Sequence, residues 1–198
     1  GRPKDIPSIQ AAAAVGQCEL MYVYDKLFGE YNHVVGQILL TSDDVIDGIR
    51  HQNFMNTVNR LLEMHAIPII NENDSVAIAE IALGDNDTLG AIVAKTVQAD
   101  LLLLLTDCDG LYTADPRSDK EAKLISRVDK ITADLTALGG GSGSKLGTGG
   151  MATKISAAKL ATDAGIDTII VNGKNPDILY DVMEGKSYTG TLFAAKKK

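Results

Sequence analysis

The most apolar stretch of the chain is a run of five leucines at positions 101–105. The run leaves no polar face, which is typical of a strand buried on both sides in a parallel sheet. Gly110 and Pro116 follow soon afterwards, so the stretch is short and a strand is favoured over a buried helix. We therefore predict a central strand here, with Thr106 and Asp107 at its carboxyl end, where open α/β sheets bind ligands.

The rest of the chain alternates between predicted helices and predicted strands. Apolar residues at helical spacing and alanine-rich segments predict helices at 11–28, 53–65, 87–99, 133–138, 151–164 and 177–183. Short apolar runs between turn residues predict strands at 33–40, 67–70, 124–125, 168–171 and 191–193, the last as an edge strand. This alternation predicts an α/β fold with a mainly parallel sheet.

Composition narrows the class of protein. The 198 residues suffice for one well-buried domain, and 45% apolar with 23% charged residues is typical of a soluble globular protein. The net charge of −7 argues against a nucleic-acid-binding surface. The two cysteines, Cys18 and Cys108, match no metal-ligand spacing or disulfide framework, and no apolar run reaches the roughly 18 residues of a membrane helix. We expect a cytoplasmic protein with no membrane segment and no nucleic-acid partner.

A glycine loop at 145–154, KLGTGGMATK, leads into the helix predicted at 151–164. Small residues let backbone N–H groups approach a phosphate, and a helix N-terminus attracts anions. Lys154, one turn into the helix, is placed to contact the same anion. The loop contains a G-x-G-x-x-A pattern, but no buried strand immediately precedes it, so a dinucleotide site is disfavoured. The alternative is a flexible surface linker.

Two further clusters, NEND at 71–74 and GDND at 84–87, combine acids and amides after a strand and before a helix. Such groups suit a ligand that carries an ammonium group, or a magnesium–phosphate complex. Acids at a helix start also act as caps, which accounts for one of Asp85 and Asp87 but not for both clusters. Asp107 is a candidate ligand of a lysine, a metal or a nucleotide hydroxyl, with a simple strand-ending turn as the alternative.

Six segments together resemble the glutamate 5-kinase family, the γ-glutamyl kinases of the amino-acid kinase superfamily. They occur in the family's order, cover nearly the whole chain, and read PIINENDSVA, GDNDTLGA, LLLLTDCDGLYTADPR, GTGGMATK, AGIDTIIVNG and VMEGKSYTGTLF. The resemblance implies a three-layer α/β/α sandwich with a mainly parallel central sheet. It also implies phosphorylation of the side-chain carboxylate of L-glutamate by ATP with Mg²⁺, the first step of proline biosynthesis.

The resemblance also implies roles for individual residues. Asp74, Asn86, Asn71 and Asn73 are implied as glutamate ligands, and Lys154 and Asp87 as catalytic residues. The implied ATP site consists of Thr106, Asp107, Thr148, Gly149, Gly150, Met151, Ala152, Thr153 and Lys154. No residue is expected to bind a metal directly, because ATP phosphates would hold the Mg²⁺. Proline is implied as a feedback inhibitor, and a homodimer or homotetramer as the assembly.

The sequence departs from the family at both ends. Members open with a strand and a glycine- and serine-rich turn that carries a phosphate-binding lysine, and many bacterial members end in an RNA-binding-like domain. We expect 1–198 to be a single kinase domain without that strand, that turn or that second domain. Two alternatives remain at this stage. One is another amino-acid kinase, such as acetylglutamate kinase or aspartokinase, and the other is a disabled fragment that binds ligand without catalysis.

Overall fold

The computed structural model describes residues 3, 5–77, 85–138 and 150–196. The chain divides into two compact units, Gly1–Gly84 and Asp85–Lys198. Each unit has a sheet of its own.

The described residues of the first unit form three helices and two parallel strands. They are α1 (Ile6–Gly29), β1 (Val35–Leu40), α2 (Ser42–Ile46), α3 (Gly48–Glu63) and β2 (Ile67–Glu72). In the sheet, Val35 lies opposite Ile67, and Leu40 lies opposite Glu72.

Two helices of this unit begin earlier than predicted, because of their caps. Helix α1 begins five residues before position 11, where the carboxylate of Asp5 accepts a hydrogen bond from the Ser8 N–H at 2.9 Å. Pro7 lies in its first turn, where a helix needs no N–H donor. Helix α3 begins at Gly48 because Asp47 accepts hydrogen bonds from the N–H groups of the two residues that follow Gly48.

In the second unit, residues 85–138 and 150–196 form four helices and a four-stranded sheet. They are α4 (Asn86–Thr96), β3 (Leu101–Thr106), β4 (Arg127–Val128), α5 (Ala133–Leu138), α6 (Met151–Asp163), β5 (Asp167–Asn172), α7 (Ile178–Met183) and β6 (Gly190–Phe193). The strand order is β3-β5-β6-β4. Strand β3 pairs in parallel with β5, β4 pairs in parallel with β6, and β5 and β6 are antiparallel.

Three strand predictions are wrong in this unit. The leucine strand β3 lies at the edge of the described sheet rather than at its centre, and Leu105 is 50% exposed. The strand buried on both faces is β5, in which the four residues from Thr168 to Val171 are all buried. Strand β6 lies between β5 and β4, not at the edge. The strand predicted at 124–125 is an isolated bridge from Leu124 to Tyr112, and the ladder forms two residues later in β4.

The core of the second unit lies between its sheet and the helix pair α4 and α6. Alanines occupy the buried positions where the two helices meet: Ala91 and Ala94 in α4, and Ala157, Ala158 and Ala161 in α6. Small side chains let the two helices approach closely, so their first turns come together. This packing positions the site described below.

No described helix is both long enough and apolar enough to cross a membrane.

Candidate functional site

A shielded ion pair joins the first turns of α4 and α6. The ammonium nitrogen Nζ of Lys154 lies 2.9 Å from Oδ2 of Asp87, and the two side chains are only 11% and 17% exposed. The hydroxyl of Thr153 donates to the same carboxylate oxygen at 3.1 Å. In a pair this shielded, removal of one partner would leave the other charge largely buried and unpaired, which is strongly destabilising.

Neither Asp87 nor Lys154 is used to cap helix α4 or helix α6, so both side chains are available to contact a ligand. Asp85 caps α4 by accepting from both the N–H and the hydroxyl of Thr88, at 2.8 and 2.9 Å, so Asp87 is not used as the cap. Helix α6 begins after Gly150, which has no side chain to cap it. The Thr153 N–H donates to the carbonyl of Gly150 at 3.2 Å, and Gly150 provides no side-chain cap for the other N–H groups of this first turn. Among the described residues this arrangement suits a phosphate beside Lys154.

The carboxyl ends of β3 and β5 lie at the same edge of the sheet. The two strands are parallel, with Thr106 opposite Asn172. The chain runs from α4 into β3 and from α6 into β5, so the N-termini of both helices lie at the edge where these strands end. The hydroxyl of Thr106 donates to the carboxylate of Asp107 at 3.2 Å, and Asp107 is exposed. These side chains are therefore accessible to a ligand at that edge.

A second polar group at this edge was missed by sequence reasoning. Asp109 accepts a hydrogen bond from the amide of Asn172 at 2.8 Å and another from the hydroxyl of Tyr112 at 3.2 Å. Burial, and then the charge of Asp109, raise the pKa of Tyr112. The contacts tie the turn after β3 to the end of β5. The parallel register of the two strands is the signal that would have found them.

The first unit contains a cavity of about 380 Å³ at the carboxyl end of its sheet. Its wall combines one face of α1 with β1 and the turn after β2. The lining residues are Ala13, Ala14, Gln17, Cys18, Met21, Gln37, Leu39, Glu72, Asn73, Asp74 and Ser75. Two of the predicted glutamate ligands, Asn73 and Asp74, are among them.

The predicted glutamate ligands in this unit differ in how many hydrogen bonds they make to other protein groups. Asn71 donates from Nδ2 to Oε1 of Gln17 at 3.0 Å and accepts at Oδ1 from the N–H of Glu72 at 2.9 Å. The carboxamide oxygen of Asn73 accepts from the hydroxyl of Ser75. Asp74 is exposed, and no residue within 5–77 that the structure describes pairs with its carboxylate. Asp74 is therefore accessible to a ligand group of opposite charge.

The remaining predicted residues lie in the second unit or outside the described ranges. Asn86 is the exposed first residue of α4, directly before Asp87. Met151 and Ala152 form the first turn of α6 with Thr153 and Lys154, after Gly150. Thr148 and Gly149 lie outside the described residues.

In 5–77, 85–138 and 150–196 no group of three or more His, Cys, Asp or Glu side chains is arranged to hold a metal ion. The absence of a direct protein ligand for Mg²⁺ stays a prediction.

A sequence model of the amino acid kinase family matches residues 3–172, which includes the cavity, the ion pair and strands β1 to β5. The chain belongs to the amino acid kinase family. Among curated proteins it is 57% identical to a glutamate 5-kinase of Clostridium tetani over 196 residues, covering 99% of this chain and 73% of that protein. It is 53% identical to a glutamate 5-kinase of Listeria innocua over 201 residues, covering 100% and 72%. The resemblance drawn from the six segments is thereby confirmed.

Solved structures confirm the α/β fold. An isopentenyl phosphate kinase of T. acidophilum in a product complex superposes with a TM-score of 0.58, covering 90% of this chain and 66% of that one. The two sequences are 16% identical, so the match concerns the fold alone. It agrees with the mainly parallel strand pairing seen in both units of this family member.

Proposed function

We propose that the protein transfers the γ-phosphoryl group of ATP to the side-chain carboxylate of L-glutamate, the first step of proline biosynthesis. The observation that carries the proposal is the shielded Asp87–Lys154 pair beside the uncapped first turn of α6. Relatives that are 50% to 57% identical are named glutamate 5-kinase, which supports glutamate over acetylglutamate or aspartate as the acceptor.

The chemistry needs positioning and charge neutralisation rather than a general base. The γ-carboxylate of glutamate has a reference pKa of about 4.3, so it is ionised near neutral pH. One of its oxygens attacks the γ-phosphorus, and the bond from that phosphorus to the bridging oxygen breaks, so that ADP leaves. Negative charge on the transferring group and on the leaving oxygen must be offset while both are held in line.

Lys154 is the residue proposed to offset that charge. Asp87 fixes one N–H of its ammonium, which keeps Nζ in place and leaves the other N–H donors for phosphate oxygens. N–H groups from Gly150 to Ala152 are proposed to bind the same phosphates, and Thr148, Gly149 and Thr153 are proposed as further residues of the ATP site. Mg²⁺ held by the ATP phosphates would supply further positive charge, with no direct protein ligand. This division of labour places catalysis on Lys154 and Asp87.

Recognition of the two substrates is assigned to the remaining residues. The carboxylate of Asp74 suits the α-ammonium group of glutamate, and the amides of Asn71, Asn73 and Asn86 suit its carboxylates. Thr106 and Asp107, at the carboxyl end of β3, are proposed to contact the nucleotide.

Three broader features belong to the same proposal. Both units are proposed to form one kinase domain, which the family match across 3–172 supports. Proline is proposed to inhibit by feedback, and the protein to assemble as a homodimer or homotetramer. Exposed apolar side chains on α1, such as Val15 and Tyr22, would suit contacts between copies. A cytoplasmic location is proposed as well, because ATP and free glutamate are available there.

The test is ADP release by the purified protein with MgATP and each of L-glutamate, N-acetyl-L-glutamate and L-aspartate. Turnover is expected with glutamate, and turnover with either other acid is expected to be at least about 100-fold lower, because an acyl group or a shorter chain misplaces the carboxylate. Faster turnover of either other acid would contradict the proposal that L-glutamate is the acceptor. Glutamate binding without ADP release would favour a binding module.

A further inference from the structure

Gln17, in the middle of α1, has no role in the sequence analysis, yet it lies in the wall of the cavity that contains Asn73 and Asp74. It is half-buried on a helix with no buried residue. Its carboxamide contacts Asn71, 54 residues further along the chain. A surface glutamine on an alanine-rich helix needs no such long-range contact, so its orientation is informative.

The orientation of this carboxamide follows from a backbone donor. The N–H of Glu72 can only donate, so the Asn71 atom it contacts at 2.9 Å is the oxygen Oδ1. The other end of the Asn71 amide is therefore the donor Nδ2, which faces Gln17 at 3.0 Å. The atom of Gln17 that meets it must be the acceptor Oε1. The Nε2 donor of Gln17 consequently points away from Asn71.

That donor has no hydrogen-bond partner among the described residues, although it is closed to solvent. A buried donor without an acceptor is destabilising, and such groups in folded proteins are rare. A ligand that brings a hydrogen-bond acceptor to the cavity wall would give the Nε2 donor of Gln17 a partner. Gln17 is one of the residues that line the cavity, so its carboxamide lies in the wall against which such a ligand would bind.

The charges of the wall indicate which acceptor it would be. Glu72 and Asp74 contribute carboxylates, and no described lining residue is a lysine or arginine. An amino acid that places its ammonium group near these acids brings its α-carboxylate on the same carbon atom. Among the described lining residues, only neutral N–H or O–H donors can bind the α-carboxylate. Gln17 is the lining amide whose donor is both oriented by its partner and unpaired within the described chain.

We infer that Gln17 binds the α-carboxylate of glutamate through Nε2, while its Oε1 holds Asn71 in place. The inference rests on the proposed function, because it takes the cavity as the glutamate site. It adds a specificity contact from α1 to a site otherwise built from the turn after β2. A substrate with a γ-carboxylate but no α-carboxylate, such as 4-aminobutyrate, would not use this contact.

The Gln17→Glu variant separates the two ends of the side chain. One carboxylate oxygen can still accept from Asn71, but the donor becomes an anion that faces the substrate carboxylate. We expect the KM for glutamate to rise by about 10- to 100-fold, with kcat and the KM for ATP within about two-fold of the wild type. Gln52→Glu is the matched control, because it makes the same change at an exposed position on α3.

A purely structural role predicts a different pattern. If Gln17 only supports Asn71, Gln17→Glu would leave the KM for glutamate unchanged, because it keeps that contact, and the inference would be wrong. Equal losses in kcat and melting temperature for Gln17→Glu and Gln17→Ala, with an unchanged KM for glutamate, would also contradict it.

Calorimetric titration with L-glutamate makes this test independent of turnover. A wild type that binds glutamate but releases no ADP contradicts the proposed activity, while a weaker Kd in Gln17→Glu still supports the Gln17 contact. An equal Kd in wild type and Gln17→Glu contradicts the contact, whatever the turnover. A wild type that does not bind glutamate contradicts both.

Discussion

The two proposed halves of the chemistry are built in opposite ways. In the second unit, Lys154 and Asp87 are shielded and paired with each other, above a helix contact of buried alanines. In the first unit, Asp74 is exposed, and the donor of Gln17 lacks a partner among the described residues. The charge pair proposed to act in phosphoryl transfer is thus already formed without a ligand. In the cavity that we propose for glutamate, by contrast, the Asp74 carboxylate and the Gln17 donor would gain partners only when a ligand binds.

The two units also differ in how many apolar residues they bury. Among described residues, the buried apolar residues number fifteen in the second unit and four in the first. Helix α1 has none, and its beginning depends on the cap formed by Asp5. We therefore expect core packing to dominate the stability of the second unit, and local hydrogen bonds to contribute more in the first. The predictions below test this difference and the one between the two sites.

The largest effect is expected from the core of the second unit. Phe193 on β6 is fully buried in the hydrophobic core of the second unit, so Phe193→Ala should lower the free energy of unfolding by about 3–5 kcal/mol. Val15 on α1 is 73% exposed, and Val15→Ala should change it by less than about 0.5 kcal/mol. Urea unfolding followed by circular dichroism measures both. Similar losses of unfolding free energy in the two variants would contradict the expectation that core packing matters more in the second unit than in the first.

The next effect concerns the preformed charge pair. Lys154→Met removes the ammonium group proposed to offset phosphoryl charge, so kcat should fall by about 10²- to 10³-fold with little change in the KM for glutamate. Lys159→Met is the matched control, since Lys159 lies on the same helix and pairs with Asp163 at the surface. Steady-state kinetics checks both variants. A near-normal kcat in Lys154→Met would remove Lys154 from the mechanism.

The sequence predicted Lys154 and Asp87 through the family resemblance, but it did not predict their contact. They are 67 residues apart, and their pairing depends on the close packing of α4 against α6. The leucine run misled because composition alone cannot identify the centre of a sheet. Strand β5 is the more buried strand although it begins with an exposed Asp167. Gln17 was missed because the sequence does not show that α1 packs beside the end of β2, where Gln17 contacts Asn71.

A smaller effect is expected at the open cavity. Asp74→Asn removes the charge proposed to bind the α-ammonium group, and the exposed position weakens that attraction through solvent screening. The KM for glutamate should rise by roughly 10-fold while kcat and the KM for ATP stay close to the wild type. Asp43→Asn, an exposed acid in α2, is the control. A fall in kcat without a change in KM would place Asp74 in the chemical step instead.

The smallest effect concerns local hydrogen bonds in the first unit. Burial raises the pKa of Asp44, but hydrogen bonds from the hydroxyl and N–H of Thr41 and from Arg50 outweigh it, so the pKa lies below its ordinary value of 3.8. A lowered folded-state pKa gives stability that is present above pH 3.8 and is lost as the pH falls through the lowered pKa. Thr41→Val should cost about 1 kcal/mol at pH 7.

Urea unfolding of Thr41→Val and wild type at pH 7 and at successively lower pH checks this. The difference between the two proteins should shrink as the pH falls below 3.8, because protonated Asp44 accepts weaker hydrogen bonds. A difference that grows on acidification would contradict the sign of the effect.

Trapping the product with hydroxylamine tests the central claim most directly. An acyl phosphate reacts with hydroxylamine to give a hydroxamate, which mass spectrometry identifies, whereas phosphate esters do not react in this way. With MgATP and L-glutamate we predict γ-glutamyl hydroxamate in amounts that match the ADP released by the wild type, and almost none from Lys154→Met. ADP released without glutamyl hydroxamate would contradict transfer to the side-chain carboxylate and, with it, the proposed function.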